Sequence, residues 1–111
     1  MLSRTAAPSL EITRRDNQMI VQVSGCDCLN EASAEFLGGQ LDRLAAETEG
    51  THLLLDLNGI AGMTSVGLGK LIGLHLRLRA SGGRLTLLNV RSLVRTALAA
   101  SHLDRLLEVV E

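Results

Sequence analysis

The run His52-Leu53-Leu54-Leu55-Asp56-Leu57, closed by Gly50 on one side and Gly59 on the other, limits the fold of this chain more than any other segment. A short, almost wholly apolar stretch between glycines is the pattern of a parallel strand covered on both faces. Behind it, Val66, Leu68, Leu71, Ile72, Leu74, Leu76 and Leu78 crowd a proline-free segment that stops at Ser81-Gly82-Gly83, a glycine helix stop. The connection, Gly62-Met63-Thr64-Ser65-Val66-Gly67-Leu68-Gly69-Lys70-Leu71, therefore leads from a buried-type strand into a helix, with Thr64 and Ser65 at the helix entrance. The first N–H groups of a helix lack intrahelical acceptors and carry the positive end of the macrodipole. A hydroxyl there can cap them, which is the ordinary reading of either residue, and an anion is favoured nearby.

The glycines of this connection come close to two nucleotide motifs and complete neither. Gly62 and Gly67 have the spacing of a phosphate-binding loop, but Leu68 stands where lysine must reach the phosphates. Leu71 follows Gly69-Lys70 where the magnesium-binding hydroxyl belongs. In Gly67-Leu68-Gly69-Lys70-Leu71-Ile72-Gly73 the third glycine comes one position late for a dinucleotide fingerprint, and the strand ends too early for its tight turn. Gly69 and Gly73, four apart on a helix, are expected to allow close packing against a sheet.

Along the rest of the chain, Met1 to Ser9 with Pro8 reads as a flexible N-terminal arm, and residues 10–111 as a single domain. Leu10 to Thr13 and Met19 to Val23 are expected strands around an Asp16-Asn17 hairpin turn. Glu31 to Thr48 has helical character, with Asn30 as cap and an apolar stripe of Phe36, Leu37, Leu41, Leu44 and Ala45 that Gly38 and Gly39 weaken. Thr51 to Leu57, Ser65 to Ala80, Arg84 to Leu88, Ser92 to Ala100 and Leu106 to Val110 follow as strand, helix, strand, helix and strand. That order implies parallel units with right-handed crossovers after a hairpin. The expected fold is a small α/β sandwich, a mixed four- to five-stranded sheet with helices mainly on one side, because they are too few to cover both.

Composition removes several classes of function. Eleven basic and twelve acidic residues leave a formal charge of -1, and the one aromatic residue is Phe36, so neither a cationic face nor a base-stacking platform favours nucleic acid. No segment approaches the roughly 20 apolar residues of a membrane span, and Met1 to Ser9 has no apolar core of signal-peptide length. A cytoplasmic chain without direct membrane insertion is expected. Cys26 and Cys28 are too close for an unstrained mutual disulfide and fall short of a Cys-x-x-Cys pattern, so they are read as loop thiols with no metal. His52, His75 and His102 fall on different expected elements, His75 as a partly exposed or hydrogen-bonded helix residue, and no nucleophile-elbow or His-Glu metal motif occurs. No catalytic residue and no cofactor is expected.

Three stretches, taken in order, resemble the STAS domain, the fold of bacterial anti-sigma factor antagonists. Val23-Ser24-Gly25 followed by Leu29-Asn30 is similar to the family's Gly-x-Leu-Asp, lengthened by Cys26-Asp27-Cys28 and with Asn30 in place of aspartate. Leu54-Leu55-Asp56-Leu57-Asn58-Gly59-Ile60 is similar to its central strand with an Asp-Leu-Ser-Gly-Val ending. Met63-Thr64-Ser65-Val66-Gly67-Leu68-Gly69 is similar to its Asp-Ser-Ser-Gly-Leu-Gly block, with Thr64 replacing the aspartate and Val66 the second serine. The resemblance, over roughly residues 10 to 111, implies a protein that binds an anti-sigma factor which is also a serine kinase. It implies phosphorylation at Ser65, with Thr64 as the alternative acceptor, and allows a phosphatase as a further partner. The implied docking patch comprises Asn30, Asp56, Asn58, Gly59, Met63, Thr64, Ser65, Val66, Gly67 and Leu68. Two alternatives stand beside it: a non-switching scaffold subunit of a stress-signalling or lipid-transport complex, and a small nucleotide- or anion-binding module using the helix N-terminus.

Overall fold

A computed structural model describes residues 8–47 and 50–110 of the chain. Strands β1 (Ser9–Arg15) and β2 (Gln18–Ser24) form the expected hairpin, tightened at Asp16, which takes a positive φ of 45°. A two-residue strand β3 (Cys28–Leu29) leads into α1 (Glu31–Glu47), then β4 (His52–Asp56), a second two-residue strand β5 (Gly62–Met63) and α2 (Ser65–Ala80). The chain ends with β6 (Arg84–Leu88), α3 (Ser92–Ala100), a 3-10 turn (Leu103–Arg105) and β7 (Glu108–Val110). The main sheet has the order β1-β2-β4-β6-β7, antiparallel at β1 and parallel from β2 to β7, while β3 and β5 pair with each other in a separate parallel ladder.

Several bounds differ from the sequence reading. Residues 1–7 of the expected arm and Thr48 of the expected first helix lie outside the described residues, and Ser9 belongs to β1. The hairpin strand runs on to Arg15, because its edge position asks for no apolar alternation. Leu106, expected in the last strand, follows the 3-10 turn, and β7 starts at Glu108.

The register explains the core. Met19, Val21 and Val23 of β2 lie beside Leu53, Leu55 and Leu57, and then Leu85 and Leu87, all on one face and all nearly fully buried. Leu37, Leu41 and Leu44 of α1, Leu71, Leu74 and Leu78 of α2, and Val94 and Leu98 of α3 complete the same cluster. With the core confined to that face, no helix among the described residues covers the other side of the sheet. His52, Leu54 and Asp56 are only half-buried, so the expectation of a central strand covered on both faces is corrected: three helices cover one face. Helix α2 ends in a Schellman motif, with Gly82 N–H donating to Arg79 O, Gly83 N–H to Leu78 O, and φ of 84° at Gly82.

On the open face a polar chain crosses β4, β6 and β7. His52 Nε2 lies 2.7 Å from Thr86 Oγ1, the Thr86 hydroxyl donates to Glu108 Oε1 at 2.8 Å, and Arg84 clamps both Glu108 oxygens at 2.8–2.9 Å. The bonds from Arg84 and Thr86 hold the Glu108 carboxyl below its ordinary range. Burial, with the charge of Arg84 adding to it and that of Glu108 opposing, lowers the pKa of His52; burial and Arg79 lower that of His75 on α2. His75 is buried with Nδ1 unpaired, not partly exposed or hydrogen-bonded as the sequence suggested.

Each of these shifts means that the unfolded chain binds more protons, so stability rises with pH across the shifted range. The thermal midpoint is expected to be steady just above neutrality, short of the thiol range, and to fall as pH drops through and below 6.5, the ordinary value for histidine. A further fall is expected below 4.5 as Glu108 is protonated. Scanning calorimetry over that range checks it: substitution of His52 and His75 by Gln should flatten the first part of the slope and leave the acid part.

Candidate functional site

Loops after β2, β4 and β6 gather at the carboxyl ends of the parallel strands, the side where open α/β sheets place their binding residues. Two of these loops are tied together by backbone hydrogen bonds. Asp27 O accepts from Ala61 N–H at 2.7 Å, Leu29 O accepts from Thr64 N–H at 3.0 Å, and Cys28 and Leu29 run beside Gly62 and Met63. Helices α1 and α2 therefore begin from one small ladder.

Each start is capped by its own sequence. Asn30 Oδ1 accepts from Ser33 N–H at 3.1 Å while Ser33 Oγ accepts from Asn30 N–H at 3.0 Å, a reciprocal capping box. Ser33, buried and also donating to Cys28 O at 2.8 Å, ties that cap to the ladder; sequence reasoning passed over it, although a serine three residues after the Asn30 cap was the available signal. Asn30 is brought to the same edge as Ser65, and its side chain is occupied in capping.

At α2, Thr64 is the N-cap. Its hydroxyl accepts from Gly67 N–H at 3.4 Å and donates to Leu29 O at 3.2 Å, an arrangement of a kind that stabilises a helix by about 1 kcal/mol. Ser65 is the first helical residue. It is exposed, and its hydroxyl has no hydrogen-bond partner among the described residues. Of two adjacent hydroxyls one is committed to structure and the other faces solvent.

Around Ser65, Val66 is exposed, Met63 and Leu68 are half-buried, and Gly67 is buried. Gly67 is obligatory for a steric reason: a methyl group there would lie 2.6 Å from Leu29 O, 2.8 Å from Met63 Cγ and 3.0 Å from Leu29 Cβ. Gly69 and Gly73 are different. A methyl group at either would meet nothing within 4 Å, so the expected close packing against the sheet is found at Gly67 and not at them.

The β4 loop carries Asn58 and Gly59, both exposed. Asp56 accepts from Asn58 N–H at 2.9 Å and from Asn89 Nδ2 at 3.1 Å, which joins this loop to the one after β6. Asp56 positions the rim with both carboxylate oxygens. Cys26 and Cys28 are half-buried free thiols, Cys28 inside β3, and burial with the charges of Asp27 and Cys28 pushes the Cys26 thiol up. Among the described residues no three His, Cys, Asp or Glu side chains converge on a metal position. The surface is thus a hydroxyl in a small apolar and amide setting, suited to protein contact and to modification.

Comparison with known proteins agrees with this geometry. The STAS domain family model matches residues 9–111. The chain is similar to an anti-sigma-factor antagonist (STAS) domain protein from Planctomyces limnophilus, at TM-score 0.82 and 17% identity, covering 90% of this chain and 87% of that one. An anti-sigma factor antagonist from Mycobacterium paratuberculosis aligns at TM-score 0.79 and 21% identity, over 97% and 89% of the two chains. The Bacillus cell fate determinant SpoIIAA in its phosphorylated form aligns at TM-score 0.69 and 22% identity, over 95% and 92%. No helix among the described residues is long and apolar enough to cross a membrane.

Proposed function

The chain belongs to the STAS domain family, and on that basis we propose that it is an anti-sigma factor antagonist that docks through the edge around Ser65 and is switched by phosphorylation there. The observation that carries the reading is the pair of hydroxyls at the start of α2. Thr64 is occupied as cap and Ser65 is exposed without a partner among the described residues, so Ser65 is the acceptor the geometry favours. The similar antagonists, one of them solved in a phosphorylated form, support the same role for this chain. The partner is an anti-sigma factor with serine kinase activity, reversed by a phosphatase, and the chain works as a binding module in the cytoplasm and not as an enzyme. In the unmodified state Met63, Val66 and Leu68 supply apolar contact, while Asn58 and Gly59 form the polar rim with Asn30 alongside.

Titrating the chain against the anti-sigma factor kinases of its source organism tests the docking surface. Val66→Glu buries a charge in the contact without touching the core, since Val66 is 37% exposed, and is expected to weaken binding at least about tenfold with an unchanged thermal midpoint. Leu76→Glu, 57% exposed and three turns along α2, should bind as the unmodified chain does. Equal effects of the two substitutions would move the docking surface away from Ser65.

A further inference from the structure

Strand β1 lies at one end of the five-stranded sheet, and among the described residues nothing pairs with its outer edge. At seven residues it is as long as β2, and it holds no proline, no glycine and no bulge. An open row of N–H and C=O groups of that length is a template for a further strand.

The hairpin register shows which groups are open. Arg15 and Gln18 flank the two-residue turn Asp16-Asn17, and in such a hairpin the flanking residues exchange both backbone bonds. Alternation along the ladder then turns the N–H and C=O of Glu11, Thr13 and Arg15 toward β2, and those of Leu10, Ile12 and Arg14 outward. Side chains alternate as well. Glu11, Thr13 and Arg15 stand beside Gln22, Ile20 and Gln18 on the open face, whereas Ile12 stands beside Val21 on the helix side and is nevertheless 41% exposed.

The charges of the strand select its occupant. A single-sign edge would repel another strand, but β1 carries both signs. Glu11 and Arg15 are exposed and have no hydrogen-bond or ion-pair partner among the described residues. Four residues apart on one strand, they are separated by about 13 Å and cannot pair within the chain. A second β1, antiparallel and related by a two-fold axis through Thr13, sets Glu11 directly opposite Arg15 of the second copy, and Arg15 opposite its Glu11. These are positions without a backbone bond, where facing side chains come closest. In the same register Ile12 of each copy exchanges both backbone bonds with Arg14 of the other. Each Ile12 side chain then gains the aliphatic stem of an Arg14 and, diagonally, the other Ile12. No like charges stand opposite each other. We propose that β1 is a homodimer edge, joining two copies of this chain about Thr13 into one continuous sheet with five strands from each. No residue of the Ser65 docking patch lies on β1, so this dimer is independent of that reading.

Sedimentation of the full chain between about 10 μM and about 1 mM tests it, the range in which a contact smaller than the roughly 1,200 Å² of stable interfaces populates a reversible dimer. Glu11→Arg sets like charges opposite each other twice across the two-fold axis and should weaken association about tenfold, as should Arg15→Glu. The double exchange Glu11→Arg with Arg15→Glu should restore it. All three variants alter exposed side chains, so their thermal midpoints in dilute solution should match that of the unmodified chain. Hydrogen exchange reads the register: in concentrated solution the amides of Ile12 and Arg14 should gain protection, while those of Glu11 and Thr13, already bonded to β2, should not change. A monomer at every concentration, a double exchange that leaves association weak, or protection gained elsewhere than at Ile12 and Arg14 would each overturn the proposal.

Discussion

Partner binding is expected to weaken about a hundredfold when Ser65 carries a phosphoryl group, about tenfold in Ser65→Asp, and hardly at all in Ser65→Ala. From Asn58 to Gly69 the chain contains no lysine or arginine, and Lys70 lies in the groove between α1 and α2. A phosphoserine brings roughly -1.5 to -2 charges at pH 7, and the start of α2 favours it by about 0.3–1 kcal/mol. The isolated domain should tolerate the modification with little change in thermal midpoint. Once a partner covers Ser65, the same charge is desolvated against Met63, Val66 and Leu68, and a penalty of about 2.8 kcal/mol suffices for a hundredfold loss. The aspartate variant carries a smaller charge on a shorter side chain and so gives part of the effect. Calorimetric titration of the three forms, each checked for its midpoint, separates a charge switch from unfolding; wild-type affinity for Ser65→Asp would contradict it.

Gly67→Ala and Gly69→Ala, two positions apart on one helix, should change stability in opposite directions. At Gly67 the new methyl group meets the Leu29 carbonyl at 2.6 Å, and that carbonyl already accepts from both Thr64 N–H and Thr64 Oγ1. Backbone cannot rotate away as a side chain can, so α2 must lift from β3 and loosen the bonds that fix its first turn. A cost of about 3 kcal/mol is expected, at the upper end of overpacking effects, which lowers the thermal midpoint by about 10–20 °C in a domain of this size. Because the displaced turn carries Ser65, partner affinity should fall as well. Gly69→Ala meets nothing, gains helix propensity, and should raise stability by about 0.5–1 kcal/mol. Thermal unfolding of both variants checks the pair, and a neutral Gly67→Ala would mean that β3 and α2 are not held as described.

These two glycines also show where reading the sequence stopped. The order of elements was legible because the periodicities were long: the leucine-rich β4, the apolar rows of α2, and the glycine stop at Gly82-Gly83 all have local physical causes. Asn30 as cap and Asp16-Asn17 as turn were legible for the same reason. The ladder of β3 with β5 was not, since two-residue strands joined by backbone bonds leave no side-chain pattern. Likewise, a spacing of four could not show that Gly69 and Gly73 face open space while Gly67 makes the close approach. The polar chain His52, Thr86 and Glu108 joins three strands that are far apart in sequence and required the register to be known. At the candidate site the motif placed Ser65 and Thr64 together, and three-dimensional geometry distinguished a capping hydroxyl from a free one.

Intact-mass spectrometry with site mapping, after incubation of the full chain with ATP and each anti-sigma factor serine kinase of its source organism, tests the switch most directly. The account predicts one phosphoryl group, on Ser65, lost in Ser65→Ala and unaffected in Thr64→Ser. Folded protein that remains unmodified with every kinase, or a phosphoryl group mapped to Thr64, would contradict it; the unmodified result would leave the constitutive scaffold as the reading of this surface.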